Sequence, residues 1–163
     1  MSTFSVCFVC LGNICRSPTA EGVFRSVLAT LGREHQFTVD SAGTAGWHAG
    51  ALADKRARAA AKKRGYELNS RARQVTQDDL ERFDLVVAMD KGNLRALRDL
   101  APTTATAAKV RLLRSFEPAG TDEEVPDPYY GEEDGFEAVL DMCEHAAMGI
   151  VEFLDAQRDG SNS

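Results

Sequence analysis

Cys10 and Arg16 stand with five residues between them in the stretch Val9-Cys10-Leu11-Gly12-Asn13-Ile14-Cys15-Arg16-Ser17-Pro18, which ends an apolar run and opens a helix-like one. A short arc of backbone that closes against the amino end of a helix turns successive N–H groups inward. With the helix dipole it makes a cradle for a tetrahedral anion. Gly12 supplies conformational freedom to such an arc, and Asn13 tolerates the left-handed conformation it often needs. Arg16 adds a planar fork able to hold two anion oxygens at once. The same donors would hold a thiolate at Cys10, since helix N-termini and nearby cations lower a cysteine pKa to about 3.5 to 7.5. Ser17 can donate its hydroxyl to that sulfur. It also reads as the N-cap of the following helix, with Pro18 as the first helical residue.

Group transfer through Cys10 needs an acid to protonate the departing oxygen, a role worth about 100- to 10,000-fold in rate. Asp127, in Val125-Pro126-Asp127-Pro128-Tyr129-Tyr130, is the candidate, because prolines on both sides stiffen its loop. The alternative is a solvated acidic turn, since Asp122, Glu123 and Glu124 are close by. Other anion-binding patterns fit less well: GxxxxGK[ST] is absent and one glycine cannot make GxGxxG. Cys7-Phe8-Val9-Cys10 is formally C-x-x-C, but it has no second pair and its spacer is apolar strand, so neither a metal nor any other cofactor is expected. Cys7 and Cys143 read as small core residues.

The elements that must position these residues alternate along the chain. Phe4 to Val9 reads as a strand, and Ala20, Val23, Phe24, Val27, Leu28 and Leu31 recur as on an amphipathic helix that stops at Gly32. Phe37 to Ser41 is a second strand, closed by Ala42-Gly43-Thr44, and Ala53 to Arg64 a helix ending at Gly65. A short helix over Gln77 to Arg82 leads into Asp84 to Met89, the clearest buried strand. Asp90 caps the next helix, through Leu94, Leu97 and Leu100. Val110 to Leu113 is a weaker strand. After a proline-rich acidic loop, Phe136, Val139, Leu140, Cys143, Ala147, Ile150, Val151 and Leu154 share one face of a long helix. This alternation predicts an α/β fold, a parallel sheet with helices on both faces. Its ligand is expected beyond the carboxyl end of the strands, where Cys10 lies.

The 163 residues fit one domain, with the last few expected to be disordered. A net charge of -6 makes nucleic acid and anionic membranes unexpected partners, so any anion site is local. No cationic leader, cleavage site or membrane-length apolar segment is read, and three cysteines within nine residues suit reduced thiols. Both point to the cytoplasm, with export lacking a signal peptide left open.

Taken together, the Cys10–Pro18 loop with Ala20-Glu21, Ser41-Ala42-Gly43-Thr44, Ala72-Arg73-Gln74, Met89-Asp90 and Asp127-Pro128-Tyr129-Tyr130 resembles the low-molecular-weight protein tyrosine phosphatases over almost the whole chain. Val110 to Phe116 and Asp127 to Gly131 look most like actinobacterial members. The resemblance implies a single domain over 1–163, with a four-stranded sheet of order 2-1-3-4 and the phosphate loop after the first strand. It implies hydrolysis of phosphotyrosine in proteins through a phosphocysteine on Cys10. Asp127 would be acid then base, and Leu11, Gly12, Asn13, Ile14, Cys15, Arg16 and Ser17 would hold phosphate. Asn13, Ser17 and Ser41 would brace the loop, and Trp47, Tyr129 and Tyr130 would wall the pocket. As the one Trp, Trp47 could equally be a packed residue. Partners would be tyrosine-phosphorylated proteins, with the chain a monomer or weakly self-associating. Ser70 departs from the histidine that many members carry at that position. Cys15 could trap an oxidised Cys10 as a disulfide, or simply be a small residue whose amide matters. Arsenate reductases of the same fold use two further mid-chain cysteines, and none lies between Cys15 and Cys143. Arginine phosphatases usually carry Thr at Ile14. A non-catalytic binder of phosphorylated ligands is the reading from another class.

Overall fold

The computed structural model describes residues 4–129, 131 and 133–161. Strands β1 (Phe4–Cys10), β2 (Phe37–Gly43), β3 (Leu85–Ala88) and β4 (Val110–Leu112) form one sheet in the order β2-β1-β3-β4. All three pairings are parallel, and the expected order and helical flanking hold. The helices are α1 (Arg16–Thr30), α2 (Lys55–Lys63), α3 (Gln77–Arg82), α4 (Lys91–Leu100), α5 (Thr104–Ala107) and α6 (Glu133–Ser161).

Successive strand side chains leave opposite faces of a sheet, and this divides the core in two. Val6, Phe8 and Cys10 of β1 join Leu85 and Val87 of β3 under α1 and α6. Cys7, Val9, Val86 and Ala88 face the other way, against Leu80, Phe83 and Leu97. Cys7 and Cys10 therefore lie on opposite sides of the sheet. β1 has β2 on one side and β3 on the other, so the strand order reverses at its carboxyl end. Ligands of open α/β sheets bind at such a crevice.

The sequence places the start of α1 too late and misassigns its cap. The helix begins at Arg16, Cys15 holds the N-cap position with no side-chain cap, and Ser17 and Pro18 fall inside the first turn. Every residue from Arg16 to Phe24 is buried, so these turns show no polar face from which a boundary could be read. α2 begins at Lys55 because Asp54 caps it, accepting from the Arg56 amide. α5 and two 3-10 turns, Glu34–Gln36 and Leu113–Phe116, are too short to leave a period in the sequence. α6 packs on α1 with the apolar face that its periodicity predicts. It runs to Ser161; the disorder expected of the last few residues concerns Asn162 and Ser163, outside the described residues.

Candidate active site

Cys10 is the last residue of β1, paired in register with Gly43 of β2. From there the chain arcs through residues 11–15 into α1, and the carbonyls of the arc are drawn outward by donors from neighbouring segments. Thr44 N–H donates to the Cys10 carbonyl at 2.9 Å, Ala45 N–H to Leu11 at 2.9 Å and Asp54 N–H to Ile14 at 2.7 Å. Among the described residues, no backbone N–H from Leu11 to Arg16 donates to a protein acceptor. These amides, at the amino end of a 15-residue helix, are left available to an anion.

The shape of the arc rests on Asn13. It is the one non-glycine residue with positive φ among those described, at 58°. Gly12 does not use that freedom. A Cβ there would instead stand 3.0 Å from the His48 ring, so its small size lets His48 close on the loop. At Gly43 a Cβ would come within 2.8 Å of the Leu11 carbonyl, which is why β2 can lie so near the arc.

A buried polar chain connects the loop to the Cys10 sulfur. The Asn13 amide donates to Ser17 Oγ at 2.8 Å and to Ser41 Oγ at 3.0 Å, while its Oδ1 accepts from Arg73 N–H at 3.0 Å. Ser41 donates to Glu21 at 2.6 Å. Because Ser17 Oγ accepts from Asn13, its own proton is left for one of two acceptors, the Cys10 sulfur 3.0 Å away or the Ala42 carbonyl at 3.4 Å, and the sulfur is the nearer. That engagement is the physical reason Ser17 does not cap α1. The Ser70 hydroxyl makes no hydrogen bond among the described residues, and the chain closes on Glu21 and on the Arg73 amide instead.

Arg16 is 3% exposed and held from outside the loop. One terminal nitrogen donates to Asp90 Oδ2 at 2.7 Å and to the Val125 carbonyl at 3.0 Å; the other faces the Asp127 carboxylate at 3.7 Å. Asp90 also caps α4 as expected, accepting from Asn93 N–H at 2.7 Å. Asp127 accepts from Tyr129 N–H through Oδ1, which leaves Oδ2 toward Arg16. Arg56 donates to the Tyr129 carbonyl at 3.0 Å while its guanidinium pairs with Asp54, whose amide holds Ile14. The Asp127 loop is thereby tied to residues 11–15 through Asp54 and Arg56 at the α2 amino end.

Cys10, Ile14, Arg16, Asp127, Tyr129 and Trp47 line one cleft of about 270 Å³, together with Leu11, Gly12, Cys15 and His48. The packed alternative for Trp47 does not hold: its side chain is 75% exposed at the rim. Tyr130 lies outside the described residues. The sequence marks Asp90 only as a helix cap and both Asp90 and Glu21 only as parts of segments that carry the resemblance; their hold on Arg16 and Ser41, and the place of His48 at the cleft wall, depend on residues distant in the chain. Burial pushes the Cys7 and Cys143 thiols up, and burial with the Asp54 carboxylate pushes Cys15 up to about 12.

Comparison with known proteins agrees with this geometry. The family model described as low molecular weight phosphotyrosine protein phosphatase matches residues 5–160. The chain belongs to this family. It is 55% identical to a low molecular weight protein-tyrosine-phosphatase of Streptomyces coelicolor, over 97% of this chain and 98% of that one. It is 45% identical to low molecular weight protein-tyrosine phosphatase A of Mycobacterium tuberculosis, over 92% and 91%. Among solved structures, a protein tyrosine phosphatase from Entamoeba histolytica with Hepes in the active site superposes with a TM-score of 0.90 at 39% identity, covering 95% of this chain and 99% of that one. The phosphatase is thus a hydrolase acting on phosphotyrosine proteins, and the likeness to actinobacterial members holds. Among the described residues no helix is long and apolar enough to cross a membrane.

Proposed function

We propose that this phosphatase works in two steps through Cys10, Arg16 and Asp127. The Cys10 thiolate attacks phosphorus, forming an S–P bond as the P–O bond to the tyrosine oxygen breaks, and Asp127 gives that oxygen its proton. Water then attacks the phosphocysteine, Asp127 takes its proton, and inorganic phosphate leaves Cys10. The inward N–H groups and Arg16 stabilise the charge shared among the equatorial oxygens, and Ser17 steadies the sulfur as nucleophile and leaving group. Trp47 and Tyr129 flank the aromatic ring of the substrate. The observation that carries this reading is the Cys10 sulfur 3.0 Å from Ser17 Oγ, at the base of a cleft whose walls hold Arg16 and Asp127.

The test is steady-state hydrolysis of aryl phosphates without metal in mildly acidic buffer. Cys10→Ser abolishes turnover, and Asp127→Ala slows phenyl phosphate by about 100- to 10,000-fold while sparing an activated leaving group. An unchanged phenyl phosphate rate in Asp127→Ala removes that residue from the role.

Cys15 completes the proposal as a redox partner. Peroxide would oxidise the Cys10 thiolate to a sulfenic acid, and the Cys15 thiol would condense with it to a disulfide with loss of water. The high pKa of Cys15, set by burial and Asp54, keeps it protonated and the condensation slow at neutral pH. Mass mapping after peroxide is expected to show a Cys10–Cys15 bridge whose yield rises with pH. Sulfinic Cys10 alone refutes the pairing.

A further inference from the structure

The charges of this chain are distributed unevenly, and the asymmetry lies beside the cleft. Residues 51–76 carry eight Lys and Arg against two Asp and Glu, so the remainder carries eleven against twenty-three. Most of this positive charge is on α2, whose amino end meets the phosphate loop at Ile14 and the acid loop at Tyr129. The helix buries Ala57, Ala60 and Ala61 and exposes Lys55, Arg58, Lys62 and Lys63.

That arrangement is poor for the helix itself. Lys55 and Arg56 occupy the first turn, where the dipole disfavours cations; the capping Asp54 pairs with Arg56, and no acidic residue of that turn offsets Lys55. Lys55 with Arg58 and Arg58 with Lys62 are like charges at helical neighbour spacing. Of the nearby α6 carboxylates, Glu137, Asp141 and Glu144 all pair with Arg64, and Asp134 across the groove forms no ion pair among the described residues. Among the described residues Lys55, Lys62 and Lys63 form no ion pair. A solvated basic face would tolerate Lys62 and Lys63 at the carboxyl end, but it gives no reason for Lys55 at the amino end.

A groove of about 310 Å³ runs between α2 and the start of α6, lined by Lys55, Arg56, Ala59, Ala60 and Lys63 on one side. Asp134, Phe136 and Glu137 form the other side, with Glu137 already held by Arg64. Arg56 belongs to both places, since its guanidinium also stacks on Tyr129 at the cleft wall, 5.4 Å from the ring centroid. A nine-residue helix is about 13 Å long, the span of roughly four extended residues.

We propose that the α2 face bearing Lys55, Lys62 and Lys63 is a docking surface for an acidic stretch of the substrate, lying within a few residues of its phosphotyrosine. This rests on the phosphatase reading and names the substrate class it prefers: phosphotyrosine flanked on one side by Asp and Glu. The negative remainder of the chain favours this occupant over nucleic acid or an anionic membrane, which would present charge to much more of the surface.

The experiment compares phosphotyrosine peptides with an acidic or a neutral flank, and an aryl phosphate with no flank, in wild type and in Lys55→Glu/Lys62→Glu/Lys63→Glu. Wild type is expected to favour the acidic peptide by about tenfold in kcat/KM at low ionic strength, an advantage that shrinks as salt is raised. The variant loses the advantage while keeping its rate on the aryl phosphate, which also reports that it is folded. Lys55→Gln/Lys62→Gln/Lys63→Gln gives an intermediate preference. Equal rates on both peptides in wild type, or an advantage that survives charge reversal, overturn the proposal while leaving the phosphatase reading intact. So does a single-stranded oligonucleotide bound through these lysines without peptide discrimination. Failure of wild type on all three substrates would instead strike the phosphatase reading.

Discussion

Asn13 combines two requirements that rarely coincide, a left-handed backbone and three hydrogen bonds, buried ones to Ser17 and Ser41 and a partly buried one from the Arg73 amide. Asn13→Ala strains the backbone and leaves the Arg73 donor unpaired, an expected loss of about 2 to 4 kcal/mol. Asn13→Gly keeps the conformation and loses only the bonds, so urea unfolding should place it between wild type and the alanine variant. Turnover is expected to fall in both, because the Ser17 hydroxyl is then no longer held facing Cys10. If alanine and glycine destabilise equally, the backbone contributes nothing and the bonds carry the whole effect.

At the level of elements, the phosphate loop is held by segments from several parts of the chain. The end of β2 supports its carbonyls, the cap of α2 anchors Ile14, and Asp90 at the cap of α4 holds Arg16. Longer packing sets where these elements lie, and α6 has little tolerance where it crosses the 3-10 turn at Leu113–Phe116. A Cβ on Gly149 would stand 1.9 Å from the Phe116 carbonyl oxygen, a backbone atom that cannot rotate away. Gly149→Ala is therefore expected to cost about 1 to 3 kcal/mol by overpacking, although alanine favours helix at an open site. Calorimetry should show a drop in Tm of about 2 to 4 °C for each kcal/mol in a chain of this size. A raised Tm would mean that α6 shifts freely at this crossing.

Across the whole molecule, the Arg73 cluster links the underside of the active site to acid stability. Burial alone would raise the Asp79 carboxyl, but the Arg73 guanidinium, the Thr76 amide and Arg82 outweigh it and hold Asp79 at about 2. A folded-state pKa below the unfolded value of about 3.9 adds stability above that value. The contribution is lost as pH falls from about 4 through 2. Asp79→Asn is thus expected to lie furthest below wild type in urea midpoint near neutral pH and to converge on it near pH 2. A gap that stays constant with pH would show that the loss does not come from the charge of the Asp79 carboxylate.

The sheet, the order of its elements and the residues gathered at the cleft are legible in the sequence because each leaves a local mark. Period-2 and period-3.6 apolar patterns record which faces must be buried, and a Cys–Arg spacing before a helix records an anion loop. Asp127 is legible for the same reason, held between two prolines beside two tyrosines. The start of α1 is not, since a helix end buried all round shows no contrast between faces. Nor are the positions of Asp90, Glu21, Arg56 and His48 around the cleft, because they are fixed by residues distant in the chain, as Asp90 is by Arg16 across 74 residues and Arg56 by the Tyr129 carbonyl across 73. The sequence by itself determined which atoms could react. Tertiary structure decided that Ser17 serves the sulfur and not the helix cap, and that Trp47 stands at the rim instead of in the core. Hydrogen-bond partners and burial are properties of residues brought together in space, and the order of residues along the chain does not contain them.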